Sequence, residues 1–184
     1  MLDVRRTALD GVIEIRPPRF ADERGFFSEV WNEAEWREAG IPFRSVQDNH
    51  SLSRPPGVLR GLHFQRPPAA QQKLVRVTHG SVFDVVVDIR RASPTFGQWV
   101  GIVLSAEEWN QLLVPRGFAH GFVTLEPDTE VQYKVTVPYS PEHELSVRFD
   151  DPALAIAWPV AADRLTLSEK DRAAPLLAAL DTGF

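Results

Sequence analysis

The sequence predicts an all-β fold, an antiparallel jelly-roll sandwich or barrel. Short runs rich in β-branched and aromatic residues recur along the 184 residues, and only two stretches have a helical pattern with a start and a stop. The 15 prolines and 11 glycines are spread throughout, which is typical of many turns between short strands. Strands do not alternate with helices of similar number, so a βαβ fold is disfavoured.

Eight runs are predicted to be strands. Turn signals separate several of them, including His79-Gly80, Ser93-Pro94 and Pro127-Asp128. The runs are, in chain order, 12–15, 26–31, 58–65, 73–78, 81–89, 99–104, 119–125 and 129–137.

Two helices are predicted from their caps. Residues 32–39 begin with Asn32 and Glu35 in a capping-box spacing and end at Gly40. Ser168 is a good N-cap for a helix that runs to about residue 177. No internal repeat is evident. We therefore expect one domain over 1–184, with strands and a helix in 1–50 and a helical C-terminal segment over 165–184.

Alternation assigns side chains to faces of two strands. In 129–137 the odd positions are mostly apolar and include Tyr133, so this phenol is predicted to point into the barrel. In 81–89 the odd positions form an apolar face, which places Asp84 and Asp88 together on the opposite face.

The predicted strand 58–65 is mostly apolar but contains the polar side chains of Arg60 and His63. Arg60 and His63 are costly in a buried strand unless they bind something, and together they indicate a pocket for an anionic ligand with a base inside it. They have opposite parity, so a regular strand would send them to different faces. If both serve one pocket, the strand must bend or bulge near Gly61.

His63 is the natural general base, because an imidazole titrates near neutral pH. The alternative is a core histidine bonded to the backbone. A carboxylate partner would favour the base by fixing its tautomer. Asp171 is one candidate, although it could be only a helix-start residue; Asp84 and Asp88 are others on geometry.

Two further groups fit chemistry at a carbonyl. Lys73 enters a strand and is more often a surface residue in such a place, but beside a carbonyl it would stabilise charge developing on oxygen. Tyr133 is either a core tyrosine or a general acid. Sequence spacing alone does not assemble these residues into one site.

The segment 115–120 carries Pro115, Gly117 and His120 in a Pro-x-Gly-x-x-His pattern, the second half of the motif of the cupin jelly-roll superfamily. The first half would need a His-x-His, and the chain has only Leu62-His63-Phe64 at that point. Two histidines are too few for a secure metal site, so the motif supports the fold more than a metal.

Composition narrows the class of protein. The chain is 43% hydrophobic and 24% charged, with no cysteine, so disulfides and thiolate chemistry are excluded. A formal charge of −5 argues against a general nucleic-acid binder. No apolar run is long enough for a membrane span or a signal peptide, so a cytoplasmic location is expected.

Taken in order, several blocks resemble one family. Two are Gly57-Val-Leu-Arg-Gly-Leu-His-Phe-Gln65 and Leu167-Ser-Glu-Lys-Asp171. The chain resembles the dTDP-4-dehydrorhamnose 3,5-epimerases, metal-free cupin-fold enzymes of nucleotide-sugar biosynthesis. The matching blocks cover 22–27, 47–51, 57–65, 73–77, 82–90, 93–97, 114–122, 133–134 and 167–171.

The resemblance implies a set of roles. His63 would be the proton acceptor, paired with Asp171, Tyr133 the proton donor, and Lys73 the support for an enolate. The resemblance also implies that the reaction needs no metal and no cofactor. It further implies a homodimer in which the N-terminal segment reaches the neighbouring subunit's site. The substrate, a dTDP-4-keto-6-deoxy sugar, would be bound by Arg24, Glu29, Gln47, Asn49, Arg60, His120, Glu144 and Lys170.

Three alternatives remain open at this point. A related epimerase could invert only C3 or only C5 of such a sugar. A metal-dependent cupin such as a dioxygenase, and a non-enzymatic jelly-roll binding module, share the predicted fold. Deuterium incorporation, metal analysis and the effect of changing His63 or Tyr133 would separate them.

Overall fold

The computed structural model describes residues 2–184, which form thirteen strands and two short α-helices. The helices are α1 (Glu33–Glu38) and α2 (Glu169–Arg172), and single 3₁₀ turns occur at Ala162–Arg164 and Leu177–Ala179. The strands are β1 (Asp3–Arg6), β2 (Ile13–Arg16), β3 (Phe20–Asp22), β4 (Gly25–Phe27), β5 (Gln47–Ser53), β6 (Leu59–Gln65), β7 (Lys73–His79), β8 (Ser81–Asp88), β9 (Trp99–Ser105), β10 (Gln111–Val114), β11 (Phe118–Thr124), β12 (Thr129–Val135) and β13 (Glu144–Ser146).

Two antiparallel sheets face each other in a jelly-roll-like sandwich. One has the strand order β1-β2-β10-β7-β12-β5 and the other β13-β6-β11-β8-β9. Strands β3 and β4 form a separate hairpin. The all-β, jelly-roll prediction is confirmed. None of the helices within residues 2–184 is long and apolar enough to cross a bilayer.

The main core lies between the two sheets. It joins Val75 and Val131 of the six-stranded sheet to Val82, Val86 and Phe118 of the five-stranded sheet. These residues alternate with outward-facing ones, as the period of a strand requires. The core fills only part of the interior, because polar residues take the inward positions at one end.

Two further clusters cover the outer faces of the sheets. The C-terminal segment places Leu154 and Leu177 against Leu62 and Val87 of the five-stranded sheet. On the six-stranded sheet, Trp36 of α1 packs with Ile15 and its neighbours. Both faces of β8 are thus buried, so Asp84 and Asp88 lie inside the protein, each fully shielded from solvent.

The helices begin where the sequence predicts. The Asn32 side chain accepts hydrogen bonds from the Ala34 and Glu35 amides, and Ser168 accepts one from the Asp171 amide. The second helix ends at Arg172, not near residue 177. Pro175 explains this, because a proline disfavours helical geometry in the residue before it.

Some strands differ from prediction. Strand β4 ends at Phe27, and the remainder of 26–31 is held by side chains instead: Gln111 donates to the Val30 carbonyl. Five strands were not predicted, namely β1, β3, β5, β10 and β13. They are short or polar; β5 reads Gln-Asp-Asn-His-Ser-Leu-Ser and has no apolar alternation to reveal it.

The distortion predicted near Gly61 is present. Across β6 and β11, His63 pairs with His120 and Arg60 pairs with Phe122, so three steps on one strand match two on the other. Gly61 has a φ of +122° and the register shifts at this point. The extra residue turns Arg60 and His63 to the same face.

Candidate active site

A cavity of about 560 Å³ opens between the two sheets. The five-stranded sheet contributes Arg60 and His63 from β6 and His120 from β11, and the six-stranded sheet contributes Lys73 and Tyr133. The segment around α2 closes one side. Seven of the predicted site residues therefore meet in one place, namely Arg60, His63, Lys73, His120, Tyr133, Lys170 and Asp171.

Asp171 is the carboxylate partner of His63. Nε2 of His63 lies 2.5 Å from Oδ1 of Asp171, although the two residues are 108 positions apart. The carboxylate is buried, whereas the imidazole is partly open to the cavity, with 26% of its side chain exposed. Asp84 and Asp88, the other candidates, are committed elsewhere. Asp88 accepts from Arg90, Ser93 and Thr95.

Asp171 is held as a charged group. Burial works to raise its pKa, but the hydrogen bond and charge of His63, with the Ser168 hydroxyl and the Gly61 amide, outweigh it and set the pKa below the ordinary value. An ionised Asp171 requires the proton on Nε2 of His63. Nδ1 of the neutral ring then carries a lone pair, which is what a base needs.

Lys73 lies in the floor of the cavity. Its Nζ donates to the His63 carbonyl at 3.3 Å. Burial lowers the pKa of Lys73 to about 8, and the nearby charges of Glu144 and Asp84 oppose a further fall. The side chain is thus a cation at neutral pH, placed where an anion can be formed beside it.

Tyr133 faces the cavity from the opposite sheet. Its ring packs against the main core, as the alternation of β12 predicted. Burial raises the pKa of its phenol, and the negative charge of Glu144 adds to the rise while Arg60 opposes it. The phenol therefore keeps its proton at neutral pH and can donate it.

His120 belongs to a second histidine–aspartate pair. Its Nε2 lies 2.9 Å from both carboxylate oxygens of Asp84. The side chains are 8% and 0% exposed, so this pair is more deeply buried than the first. The proposal that Asp84 serves His63 is therefore wrong, since Asp84 faces His120 on the neighbouring strand.

Arg60 lies at the more exposed end of the cavity. Its guanidinium donates to the Ser53 hydroxyl at 3.4 Å and to the Leu52 carbonyl at 3.5 Å. Ser51, Thr166 and Ser168 also line this part. A guanidinium among hydroxyl groups is suited to phosphate oxygens.

Glu144 lies beside the cavity and links two residues at its rim, Tyr139 and Lys170. It accepts hydrogen bonds from Lys170 and, at 2.9 Å, from the Tyr139 hydroxyl. Burial works to raise its pKa, yet these two donors and the Lys170 charge set the pKa below the ordinary value. Glu144 is thus an anion within reach of Lys73 and Tyr133.

Gln47 and Asn49 adjoin the cavity without lining it. Asn49 is the register partner of Tyr133, and its side-chain oxygen accepts from the Gln47 amide at 2.8 Å. Gln47 in turn accepts from the Tyr139 amide at 3.0 Å. The two amides extend a polar surface from Tyr133 towards the rim.

Arg24 and Glu29 are not brought to the cavity of their own chain. Arg24 is at the β3–β4 hairpin, where it bonds Asp22, and Glu29 accepts from Asn32. Their predicted role therefore cannot be played within one chain as folded here. Within residues 2–184, no three histidine, aspartate or glutamate side chains group so as to hold a metal ion.

Several residues that line the cavity were not predicted as site residues, because no motif or spacing in the sequence marks them. Ser51, Ser53 and Phe122 reach the cavity because β5 and β11 alternate inward at these positions. Ser168 was noted only as a helix cap, yet its hydroxyl also donates to Asp171 at 2.9 Å. The contact of Ser168 with the site can be recognised only once Asp171 is known to be the partner of His63.

The chain matches one family over nearly its whole length. Residues 6–179 match the family described as dTDP-4-dehydrorhamnose 3,5-epimerase. An enzyme of that name from Salmonella typhimurium is 54% identical over 178 residues, which cover 96% of each chain.

Solved structures agree with this match. The dTDP-6-deoxy-D-glucose-3,5-epimerase of Legionella pneumophila, in complex with dTDP-4-keto-L-rhamnose, superposes with a TM-score of 0.93 at 48% identity, covering 98% of this chain and 95% of the other. A 3′-monoepimerase from Streptomyces bikiniensis, in complex with dTDP-quinovose, has a TM-score of 0.87 at 35% identity, covering 94% and 86%.

Proposed function

Because the chain belongs to the dTDP-4-dehydrorhamnose 3,5-epimerase family, we propose that it is an isomerase that inverts C3 and C5 of dTDP-4-dehydro-6-deoxy-D-glucose to give dTDP-4-dehydro-L-rhamnose. The observation that carries this proposal is the placement of His63 and Tyr133. They come from opposite sheets and face one cavity, with Lys73 in its floor.

The chemistry follows from the C4 ketone. The C–H bonds at C3 and C5 are both α to that carbonyl, and in a D-gluco ring both hydrogens project from the same face. Nδ1 of His63 removes one of these protons, and the electron pair of the broken C–H bond moves into the carbonyl to form an enolate. Lys73 stabilises the charge on the oxygen.

Inversion requires a proton from the other face. Tyr133 donates its phenolic proton to the carbon as the enolate collapses back to the ketone, and solvent exchange returns the two side chains to their starting states. The same cycle at the second carbon completes the conversion. No redox step occurs, since every bond broken at carbon is replaced by a new C–H bond.

The remaining site residues bind the nucleotide sugar. We assign the diphosphate to Arg60 and Lys170, whose charges stand at the open end of the cavity. His120 lies near the ketone, and Gln47, Asn49 and Glu144 form the polar surface beyond Tyr133. Such a charged substrate does not cross a bilayer unaided, so we place the enzyme in the cytoplasm.

We further propose a homodimer in which the hairpin of one subunit reaches the site of the other. Phe20, Phe26 and Phe27 of the hairpin are 63%, 52% and 69% exposed, an unusual display for apolar rings. Arg24 and Glu29 lie in and next to this hairpin, away from their own cavity. A second copy of the chain would cover the rings and give both residues a ligand.

A C3- or C5-specific epimerase is the second candidate, favoured by the likeness to the 3′-monoepimerase. Incubation of the substrate with the enzyme in deuterated water, followed by product NMR, separates the two. The proposed function predicts deuterium at both C3 and C5 with inversion at each carbon. Label and inversion at one carbon alone would establish the monoepimerase instead.

A further inference from the structure

The β3–β4 hairpin belongs to neither of the two large sheets. Its strands have three residues each, pair only with each other, and are exposed along their whole length. A two-stranded hairpin on its own is only marginally stable in water. Arg24 and Glu29, which lie in and next to the hairpin, therefore occupy a defined place only if a contact outside the two strands holds them.

Trp109 connects the hairpin to the six-stranded sheet. It lies in the turn between β9 and β10, and its Nε1 donates to the Ser28 hydroxyl oxygen at 2.9 Å. The Ser28 hydroxyl in turn donates to the Pro18 carbonyl at 2.8 Å. Because Pro18 precedes β3 and Ser28 follows β4, these two hydrogen bonds close the base of the hairpin and attach it to the turn.

A stack of aromatic rings and guanidinium groups strengthens the same connection. The Phe26 ring of β4 meets the Trp109 ring edge to face, with 4.7 Å between the centroids. The Arg19 guanidinium lies over both rings, 5.3 Å from the Phe26 centroid and 5.5 Å from that of Trp109. From β7, Arg76 lies 5.7 Å from the Trp109 centroid while its guanidinium donates to Gln132. The indole thus packs between a guanidinium fixed on the sheet and the hairpin.

The backbone at Trp109 indicates that the turn itself does not require this side chain. Its φ is +56°, a left-handed conformation that bulky residues seldom adopt and that glycine or asparagine adopts more easily. Other groups fix the turn, since the Trp109 amide donates to the Ser105 carbonyl at 3.1 Å and the Asn110 side chain accepts from the Ser105 amide at 3.2 Å. A tryptophan is therefore unfavourable for the local backbone, and what it adds is its contact with the hairpin.

We propose that Trp109 is a positioning residue, which fixes the hairpin of its own subunit so that Arg24 and Glu29 meet the nucleotide sugar in the neighbouring subunit's site. This inference rests on the proposed function and on its homodimer. Trp109 does not line the cavity of its own chain, so its effect on the reaction has to pass through the hairpin. A hairpin that is already ordered loses less conformational entropy when the substrate binds, so the indole strengthens binding.

Trp109 should affect substrate binding more than the chemical step. The proton transfers are carried out by side chains of the cavity, and the indole is not among the groups that line it. A hairpin that holds the nucleotide part of the substrate binds the ground state and the transition state alike. Loss of such binding raises KM and leaves kcat unchanged.

The first test replaces Trp109 by asparagine, which suits the left-handed backbone and so preserves the turn. For W109N we expect KM for dTDP-4-dehydro-6-deoxy-D-glucose to rise about tenfold, with kcat changed less than about threefold. Trp109→Phe keeps a ring against Phe26 but cannot donate to Ser28, so its KM should lie between those of the wild type and W109N. Arg91→Gln is the control and should keep the wild-type KM, because it removes a cation–π contact of the same kind, with Phe96 in the loop after β8.

The second test determines which subunit's site the indole serves. W109N is mixed with a large excess of His63→Asn, which lacks the base but has an intact Trp109. After subunits exchange, nearly every active site belongs to a W109N chain and receives the hairpin of an H63N chain. We expect the KM of the mixture to return to the wild-type value. If Trp109 acted within its own chain, KM would stay raised.

The outcomes distinguish this inference from the proposed function. A W109N enzyme with the wild-type KM, or a raised KM that the H63N chain does not restore, would overturn the role of Trp109. A loss of kcat in W109N at unchanged KM would overturn it as well. If W109N does not fold, the same two measurements are made on W109F. A wild-type enzyme that inverts neither C3 nor C5 would instead overturn the proposed function.

Discussion

Gly61 and Gly121 face each other across β6 and β11 with no room for a side chain between them. A Cβ on Gly61 would lie 2.5 Å from the Gly121 Cα and 2.8 Å from the His120 carbonyl oxygen. This close approach permits the extra residue of β6 that turns Arg60 and His63 into one cavity. We expect Gly61→Ala to lose about 3 kcal/mol of unfolding free energy, from the clash and the positive φ together.

Two other glycines allow the effect of the steric clash to be separated from the effect of the positive φ. Gly121→Ala introduces a contact of 2.7 Å with the Arg60 carbonyl at an ordinary φ, whereas Gly40 has a φ of +75° and open space around it. Chemical denaturation should rank the losses as Gly61→Ala first, then Gly121→Ala at about 2 kcal/mol, then Gly40→Ala at about 1 kcal/mol. Equal losses at Gly61 and Gly40 would mean that the close packing matters little.

The sequence predicts the fold better than the site. The alternating runs at β7, β8 and β12 reveal their strands, because apolar periodicity is set by the buried face. The strands β3 and β5 were not predicted, because β3 has only three residues and the polar β5 has no apolar alternation. At the site, parity alone predicted the distortion at Gly61. The pairing of His63 with Asp171, and of His120 with Asp84, depends on contacts far apart in sequence that no spacing encodes.

Tyr133→Phe should uncouple exchange from inversion. His63 can still remove a proton and return a deuteron to the same face, so the substrate should gain deuterium while keeping its configuration. We expect epimerisation to fall at least about 1,000-fold and exchange to fall much less, as measured by NMR in deuterated water. His63→Asn should abolish both, because it removes the base.

The chain offers a matched control in its other tyrosine, Tyr139, whose hydroxyl bonds Glu144 at the rim. Tyr139→Phe should retain inversion. If Tyr133→Phe still inverts the carbons at a rate near that of Tyr139→Phe, another group supplies the second proton.

The rate should fall in alkali as Lys73 loses its proton. Its pKa of about 8 predicts that kcat/KM declines about tenfold per unit above that pH, because only the ammonium form stabilises the enolate. Lys73→Gln should lower kcat/KM about 100-fold near neutral pH and abolish this limb of the profile. Lys134→Gln is the control, since Lys134 pairs with Asp48 on the outer face of the sheet. An alkaline limb that persists in Lys73→Gln would assign it to another group.

Asp88 should make the protein sensitive to acid. Burial acts to raise its pKa, but bonds from Arg90, Ser93 and Thr95 outweigh it and lower the pKa from 3.8 to about 2. A carboxyl with a depressed folded-state pKa stabilises the fold above its unfolded value, and this stability is lost as the pH falls from about 4 towards 2. The difference amounts to roughly 2 kcal/mol. Denaturation of Asp88→Asn should show a loss of that order at pH 7 and a shallower decline in acid, whereas an unchanged acid slope would contradict this account.

The proposal that the hairpin contributes to a neighbouring subunit's site can be tested by mixing two inactive variants. Arg24→Ala impairs the hairpin but keeps His63, and His63→Asn does the reverse. If Arg24 acts in the partner's site, a mixed dimer contains one site in which both residues are intact. Random exchange of subunits should then restore about a quarter of the wild-type kcat, since half of the dimers are mixed and each has one working site. If Arg24 acted in its own chain, both sites of a mixed dimer would stay defective and no activity would return. Mixing Lys73→Gln with His63→Asn provides the control, because these two residues share a cavity within one chain and cannot complement each other.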